Sequence, residues 1–182
     1  MATEKQKMLA GELYRADDSE LAAERARCDR LLRRYNGHED SGQRRAVLTE
    51  LLGAVGTDVE IRSPFACDYG PHISFGTGAF MNFGGVILDC APVTVGDGVQ
   101  MGPSVQLLAA DHPREADVRR AGLESAAPIS LGANAWIGGG AIICAGVSIG
   151  TDSIIGAGSV VVRDVPAGVV AVGNPCRVLR SL

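Results

Sequence analysis

From Leu131 the chain reads LGANAW, IGGGAI, ICAGVS, IGTDSI, IGAGSV as far as Val160, and the next step opens on Val161. Set out in sixes, the first place is Leu131, Ile137, Ile143, Ile149, Ile155 and Val161, aliphatic every time. The second place is Gly132, Gly138, Cys144, Gly150, Gly156 and Val162. The fifth is Ala135, Ala141, Val147, Ser153, Ser159 and Val165, always small or β-branched. A helix of 3.6 residues per turn cannot hold a six-residue repeat on one face. An ordinary strand alternates by two over far fewer residues. A chain that lays down a short strand and a corner every six residues can use the pattern. Three such steps close a triangular coil of about 18 residues, with its aliphatic residues inward and small residues at the tight corners. Stacked coils pair as parallel strands about 4.8 Å apart, and only the stack buries what one coil leaves exposed. The expected fold is mainly β, a parallel β-helix of hexapeptide repeats.

The frame continues backwards through Val95, Met101 and Leu107. A set at Phe75, Met81 and Ile87 is displaced by two residues, and a third fits Ile61, Cys67 and Ile73. Between Leu107 and Leu131 the pattern breaks. Residues 112–130 contain Pro113, Arg114, Glu115, Asp117, Arg119 and Arg120, a polar loop expected to leave the solenoid. Loops held this way on a rigid scaffold commonly carry function. Before residue 56 the composition shifts to Glu, Arg, Leu and Ala. Asp17-Asp18-Ser19-Glu20 supplies helix N-cap chemistry, and Leu21, Cys28, Leu31, Leu32 and Tyr35 follow at helical spacing up to Asn36-Gly37. A second helix fits residues 41–52 and an earlier short one residues 4–13. The expected organisation is an N-terminal α-helical segment over 1–55 and a β-helix over 56–182, with an extruded loop at 112–130 and a C-terminal tail at 173–182.

The 182 residues include 46% hydrophobic side chains, enough for one domain with its own core. A net charge of −4 argues against a nucleic-acid partner, which calls for a basic face. No apolar run reaches the ~18 residues of a membrane span, and residues 1–10 are charged and lack an apolar signal core. The five cysteines (Cys28, Cys67, Cys90, Cys144, Cys176) are odd in number, scattered and without a CxxC pair. They read as reduced thiols, so the expected location is cytoplasmic, with no membrane partner.

Several stretches, in order, are similar to the maltose and galactoside O-acetyltransferases, hexapeptide-repeat acyltransferases, and more so to the maltose branch. They are Met8-Leu9-Ala10-Gly11-Glu12-Leu13-Tyr14, Cys67-Asp68-Tyr69-Gly70, Asn82-Phe83 and Asp111-His112-Pro113, then Trp136-Ile137-Gly138-Gly139, Asp164-Val165-Pro166 and Gly173-Asn174-Pro175-Cys176-Arg177-Val178. The resemblance covers nearly the whole chain. It implies a left-handed helix, which the period alone does not reveal. It also implies a homotrimer with sites between subunits, and acetyl transfer from acetyl-coenzyme A, as co-substrate, to a sugar hydroxyl. No metal is expected.

A hydroxyl needs a general base to become a nucleophile, and imidazole suits working pH. The chain offers His38 in a helix-end turn, His72 beside Pro71 near a corner, and His112 opening the polar loop. A lone histidine is usually structural or solvated; the resemblance implies that His112 is the base. It also implies that a backbone N–H at Gly139 meets the developing oxyanion. Asp111 is a candidate to orient His112, although neighbours in extended chain point opposite ways.

No Walker or Gly-x-Gly-x-x-Gly phosphate loop occurs. The resemblance places the coenzyme's charges near Arg163, Arg177 and Arg180, which by themselves also read as a solvated basic tail; Arg163 stands where relatives often carry Lys. It implies that Trp136 lines the pantetheine groove, with packing at a trimer interface as the alternative, and that Ala157 is a small residue against the coenzyme. The implied sugar pocket is Asp68, Asn82 and Asp89, with a corner turn bond as the alternative for both aspartates. Phe80 replaces a Tyr and Glu124 a Met of the galactoside enzymes. The acceptor therefore stays open: maltose or glucose first, then a galactoside, a lipo-chitooligosaccharide as in nodulation acetyltransferases, or a xenobiotic.

Three other readings compete. A γ-type carbonic anhydrase needs three imidazoles around zinc, and no His lies within five residues of His112. A thiol mechanism through Cys90 or Cys144 meets the inertness of cysteines in a coil wall. The third is a non-catalytic trimeric assembly protein.

Overall fold

The computed structural model describes residues 2–37 and 41–182; His38 lies outside the described residues. From Ala54 the chain winds into a triangular β-solenoid whose three faces are parallel sheets. The first face stacks Ala54–Val55, Ile73–Phe75, Val93–Val95, Ile129–Leu131 and Ser148–Ile149. The second stacks Glu60–Ile61, Phe80–Met81, Gln100–Met101, Trp136–Ile137, Ile154–Ile155 and Val169–Gly173. The third stacks Phe65–Cys67, Gly85–Leu88, Gln106–Leu108, Ile142–Cys144 and Val160–Val161.

Register turns the sequence period into a core. The first places of the hexads form columns: Phe75, Val95, Leu131 and Ile149 on the first face. Ile61, Met81, Met101, Ile137, Ile155 and Ala171 line up on the second. Cys67, Ile87, Leu107, Ile143 and Val161 line up on the third. Every one of these is buried. Each large aliphatic side chain so removed from water contributes about 1.5–3 kcal/mol.

The corners explain the small residues. A Cβ added to Gly138 would lie 2.4 Å from the backbone nitrogen of Ala157, one coil on. The fourth place of the hexad takes a positive φ: Gly98 at 64°, Asn134 at 57° and Asp152 at 61° stand at equivalent corners. The two-residue displacement seen in the sequence is a wider corner between the third and first faces. Cys67 and Phe75, like Ile87 and Val95, lie eight residues apart rather than six. Ile73 accordingly does not head a hexad. It sits two residues before Phe75 in the same strand, buried and paired with Val93.

The N-terminal segment contains helices α1 (Glu4–Leu9), α2 (Ser19–Gly37) and α3 (Ser41–Leu51). The first helix ends well before residue 13, because Gly11 turns left-handed at φ 73° and Tyr14–Arg15 becomes a strand. Asp18 caps α2, its Oδ1 accepting from the N–H groups of Glu20 at 2.9 Å and Leu21 at 3.4 Å. Leu21, Cys28, Leu31 and Tyr35 of α2 and Val47, Leu48 and Leu51 of α3 are buried; Leu32 is only half-buried. They cover the open end of the first coil. The Asn36 side chain there both donates to the Phe65 carbonyl and accepts from the Phe65 N–H, each at 2.9 Å. An exposed sheet edge is thereby satisfied. Ala54–Val55 already belongs to the first face, so the solenoid begins two residues before the expected boundary at 56.

The other end is closed by Cys176–Ser181, which pairs antiparallel with Val169–Gly173 and is a strand rather than a loose tail. The extruded loop holds helix α4 (Ala116–Arg120) and the strand Leu123–Ala126, and the chain rejoins the first face at Ile129, ahead of the expected 130. No helix among the described residues is long and apolar enough to cross a membrane.

Two substitutions separate the corner rules. Gly138→Ala drives a methyl into backbone and is expected to cost about 1–3 kcal/mol or more. Gly98→Asn, where a Cβ meets nothing within 4 Å, is expected to change stability by less than about 1 kcal/mol. Urea denaturation of the two variants checks the contrast.

Candidate active site

The residues singled out from the sequence fall on two edges of the prism. The corner from the second to the third face carries Asn82, Gly139 and Ala157, because Met81, Met101, Ile137 and Ile155 are in register just before it. The corner from the third to the first face carries Asp68, Asp89 and Arg163, each following a third-face strand, and the extruded loop with His112 leaves the solenoid there, through Ala110–Asp111 after Gln106–Leu108. The third face separates the two edges, so a single chain does not bring His112 and Gly139 together.

On the glycine edge, Gly158 N–H donates to the Gly139 carbonyl at 3.0 Å, stacking Ala157 directly on Gly139. Gly140 N–H donates to the Pro103 carbonyl at 2.8 Å, and Gly138 N–H to Ile155 at 2.8 Å. The N–H of Gly139 between them finds no acceptor among the described residues. It is a free donor in a fixed corner with no side chain above it. Trp136 stands outward on the adjoining second face and is 55% exposed. Asn82 is half-buried, its Oδ1 accepting from the Phe83 N–H at 2.9 Å.

On the histidine edge, the strand Ala110–Asp111 leads straight into His112, which is exposed. None of the described residues hydrogen-bonds the ring. Asp111 does not orient it: one carboxylate oxygen accepts from the His112 backbone N–H at 2.8 Å and the other pairs with Arg114 at 2.9 Å. A cleft of about 150 Å³ opens beside the ring, lined by His112, Arg119, Gly122, Leu123 and Glu124. Arg119 ties the loop to itself by donating to the carbonyls of Pro113 at 2.8 Å and Arg114 at 3.2 Å.

Asp89 is not available to a sugar. It is fully buried, Oδ1 accepting from the N–H groups of Asp68 at 3.1 Å and Tyr69 at 2.9 Å, and Oδ2 from Gly70 at 2.7 Å. His72 Nδ1 donates to its backbone carbonyl at 2.8 Å. Burial pushes the Asp89 carboxyl above the usual range, opposed by those N–H bonds and by the His72 charge. Asp89 thus holds the widened corner closed, and His72 is part of the same corner. Asp68 is different. It is half-buried, accepts from the Cys90 thiol at 3.4 Å, and has its carboxyl raised first by burial and also by the charges of Asp89 and Glu124.

Arg163, Arg177 and Arg180 are exposed, and none is in an ion pair among the described residues. Arg177 and Arg180 lie together on the last strand, Arg177 donating to the Cys176 carbonyl and Arg180 to that of Ser181. Arg163 sits on the opposite edge. The structure therefore does not bring the three together within one chain.

The capping profile described as the maltose acetyltransferase hexapeptide capping motif matches residues 7–56, and that of the bacterial transferase hexapeptide, six repeats, matches residues 128–163. Nodulation protein L of Rhizobium leguminosarum bv. viciae is 54% identical over 178 residues, covering 97% of this chain and 94% of its own. A maltose O-acetyltransferase from Clostridium difficile 630 superposes with a TM-score of 0.98 at 42% identity, over 100% of this chain and 98% of that one. The chain belongs to the maltose acetyltransferase family of hexapeptide-repeat acetyltransferases. A third member, a hexapeptide-repeat acetyltransferase of Vibrio cholerae O1 biovar eltor solved with acetyl-coenzyme A, matches at 39% identity and TM-score 0.93, over 100% of this chain and 99% of that one.

Membership gives the left-handed β-helix and the acetyltransferase class. It leaves two features of this acetyltransferase that the sequence did not disclose. Tyr14 is buried, and its hydroxyl donates to Glu124 Oε2 at 3.1 Å. Cys90 lies between that hydroxyl and Asp68, its thiol pushed up to about 12, chiefly by burial. Glu124, Tyr14, Cys90 and Asp68 so form a polar seam from the His112 cleft into the corner. The sequence had singled out Asp68 as an implied pocket residue and Glu124 as a departure from a Met, but nothing in it connected either to Tyr14 or Cys90. The buried Cys90 and the raised Cys144 thiol also count against thiol chemistry at either position.

Asp89→Ala would leave the backbone N–H groups of Tyr69 and Gly70, both buried, and that of half-buried Asp68 without an acceptor, at about 1–3 kcal/mol for each buried group. The expected result in a denaturant titration is a stability loss above about 3 kcal/mol. An acceptor-contact role would instead leave the midpoint in place and raise the acceptor KM.

Proposed function

We propose that this acetyltransferase moves an acetyl group from acetyl-coenzyme A to a hydroxyl of a sugar such as maltose or glucose, and that it does so as a homotrimer with its sites between subunits. The observation that carries the reading is the separation of an unengaged imidazole and an unengaged backbone amide onto two edges flanking one apolar face. The outward side chains of that third face include Val86, Leu108, Ile142, Val160 and Val162, all partly exposed in the single chain. A second copy laid against it buries them and sets the His112 edge of one protomer opposite the glycine edge of the next. Family membership supports the same arrangement.

In this reading His112 takes the proton from the acceptor hydroxyl as that oxygen attacks. Acetyl-coenzyme A supplies the thioester carbonyl. The Gly139 N–H donates to the carbonyl oxygen as it gains charge, and a donor already fixed by stacked corners needs no reorganisation at that moment. Trp136 and Ala157 give a flat wall and an unobstructed path along the glycine edge. Arg177 and Arg180, free of carboxylates, suit the phosphates at the far end of the coenzyme. Arg163 would serve from the edge of the other protomer. Asn82, Asp68 and Glu124 supply the amide and carboxylates that sugar hydroxyls require, and Asp89 has no part in the acceptor pocket. The five free cysteines fit a reducing, cytoplasmic site of action.

A second reading keeps the reaction and replaces the acceptor by a lipo-chitooligosaccharide. It is favoured by the 54% identity to nodulation protein L. Release of free coenzyme A thiol, followed with a thiol reagent over a panel of maltose, glucose, galactosides and chitooligosaccharides, decides between them. Release with none of the acceptors would overturn the enzyme reading in favour of a trimeric assembly protein.

His112→Ala is expected to keep the trimer and bind acetyl-coenzyme A while turnover falls about 10²–10⁴-fold; near-full activity would reject the base assignment. Arg177→Ala and Arg180→Ala are expected to weaken acetyl-coenzyme A more than its 3′-dephospho form. Equal losses with both donors would exclude phosphate contact.

A further inference from the structure

The strand Tyr14–Arg15 belongs neither to the helices that seal the first coil nor to the solenoid. It pairs antiparallel with the extruded loop, Tyr14 opposite Glu124 and Arg15 opposite Leu123. The same loop strand pairs on its other side with Ala110–Asp111, Ala126 opposite Ala110 and Ser125 opposite Asp111. The order across this small sheet is thus N-terminal strand, loop strand, and the strand that delivers His112. Side chains reinforce it. Tyr14 is fully buried and donates to Glu124 Oε2 at 3.1 Å, and Arg15 Nη1 donates to the Ala121 carbonyl at 3.1 Å. The strand is itself anchored, since the Arg15 N–H donates to Glu4 Oε2 of α1 at 2.6 Å.

Two-residue pairings are too short to hold an isolated hairpin in water. The loop segment 110–126 therefore needs the third strand to keep one conformation. The wall of the His112 cleft made by Gly122, Leu123 and Glu124 is the stretch this strand touches.

We propose that Tyr14–Arg15 is a strap that positions the His112 loop, with Tyr14 a positioning residue that fixes the Glu124 carboxylate at the wall of the acceptor cleft. Tyr14 touches neither substrate; it acts through Glu124. One Glu124 oxygen is held by the Tyr14 hydroxyl, which leaves the other free for an acceptor hydroxyl. The proposal rests on the acceptor entering beside His112. It assigns a function in the site to a segment otherwise read as a cap.

Tyr14→Phe removes the one hydroxyl and keeps the ring. With the full-length trimer, the acceptor KM is expected to rise about 3–10-fold while the acetyl-coenzyme A KM and the melting temperature stay put. Amide hydrogen exchange over residues 110–126 is expected to quicken at least several-fold, and that over the first-face strands to remain unchanged. The exchange readout does not depend on any reaction, so it tests the strap even where no acceptor is turned over. Unchanged exchange over 110–126 in both Tyr14→Phe and Arg15→Ala would overturn the strap. Quickened exchange with equal loss toward acceptor and donor would overturn the assignment of Glu124 to the acceptor side. In a double-mutant cycle with Glu124→Gln, additive effects on acceptor KM would likewise remove Tyr14 as a positioning residue.

Discussion

Backbone hydrogen bonding from one coil to the next is the constraint on which the rest of this molecule depends. Gly158 donates to Gly139, and Gly140 to Pro103, so residues 19 and 37 positions apart share one corner. Because every coil repeats the same three corners, a property of one place in the hexad becomes a property of a whole edge. Small residues at the second place let corners approach until a methyl would strike backbone. That closeness fixes the amide of Gly139 in space and leaves it bare. The two extra residues between the third and first faces do not disturb the ladder, because they are inserted at a corner and the strands on either side remain in register. The insertion makes room there for Asp68, Tyr69 and Gly70, whose amides Asp89 then collects.

The three faces differ outside although they are alike inside. The first presents Ser74, Thr94, Ser130 and Ser148 in register, a ladder of hydroxyls suited to water. The third presents Val86, Gln106, Ile142 and Val160 in register, with Leu108 and Cys144 beside them. Burial of apolar area is non-directional, so an apolar face by itself names no partner. Here direction comes from the two edges that flank it. Each carries one of the two groups that the proposed acyl transfer calls for, an imidazole on one and a backbone amide on the other, both without a partner among the described residues.

The period of six was fully legible, because a repeated steric demand leaves a repeated residue type. The later inward columns, the corners and the break at the loop were read from it directly, while the wider corner before Phe75 displaced Ile73 from the column assigned to it. His112 was legible as a loop histidine, and its chemistry came from the resemblance. The fate of Asp89 was not legible. A carboxylate in a corner can face outward to a ligand or inward to amides, and the choice depends on a neighbouring coil some 20 residues away. The separation of Arg163 from Arg177 and Arg180 was hidden for a related reason: positions close in sequence fall on different edges when each face takes six residues. Tyr14 entered only as the last residue of a resembling stretch, and its pairing was not legible. Its partner Glu124 lies 110 residues on, and an antiparallel pairing of two residues leaves no periodic trace.

Stability and function are distributed unequally along this chain. The solenoid buries its columns continuously and is sealed at both ends, by α2 and α3 below and the Cys176–Ser181 strand above. The loop that carries His112 has none of that support. Its helix α4 spans five residues with no buried side chain, and its arginines find partners within the loop and its entry strand, Arg119 in the carbonyls of Pro113 and Arg114, Arg114 in Asp111 and Arg120 in Asp117. Low local stability is where mobile functional segments are drawn from, yet a base must stay within hydrogen-bond reach of its proton. A third strand resolves the conflict at small cost. It adds order to the loop from outside and leaves the cleft open, and it comes from a segment already anchored to the rigid end of the solenoid. The helical segment and the His112 loop are thus joined through Tyr14 and Arg15, a route from α1 to the strand before His112 that does not cross the β-helix core.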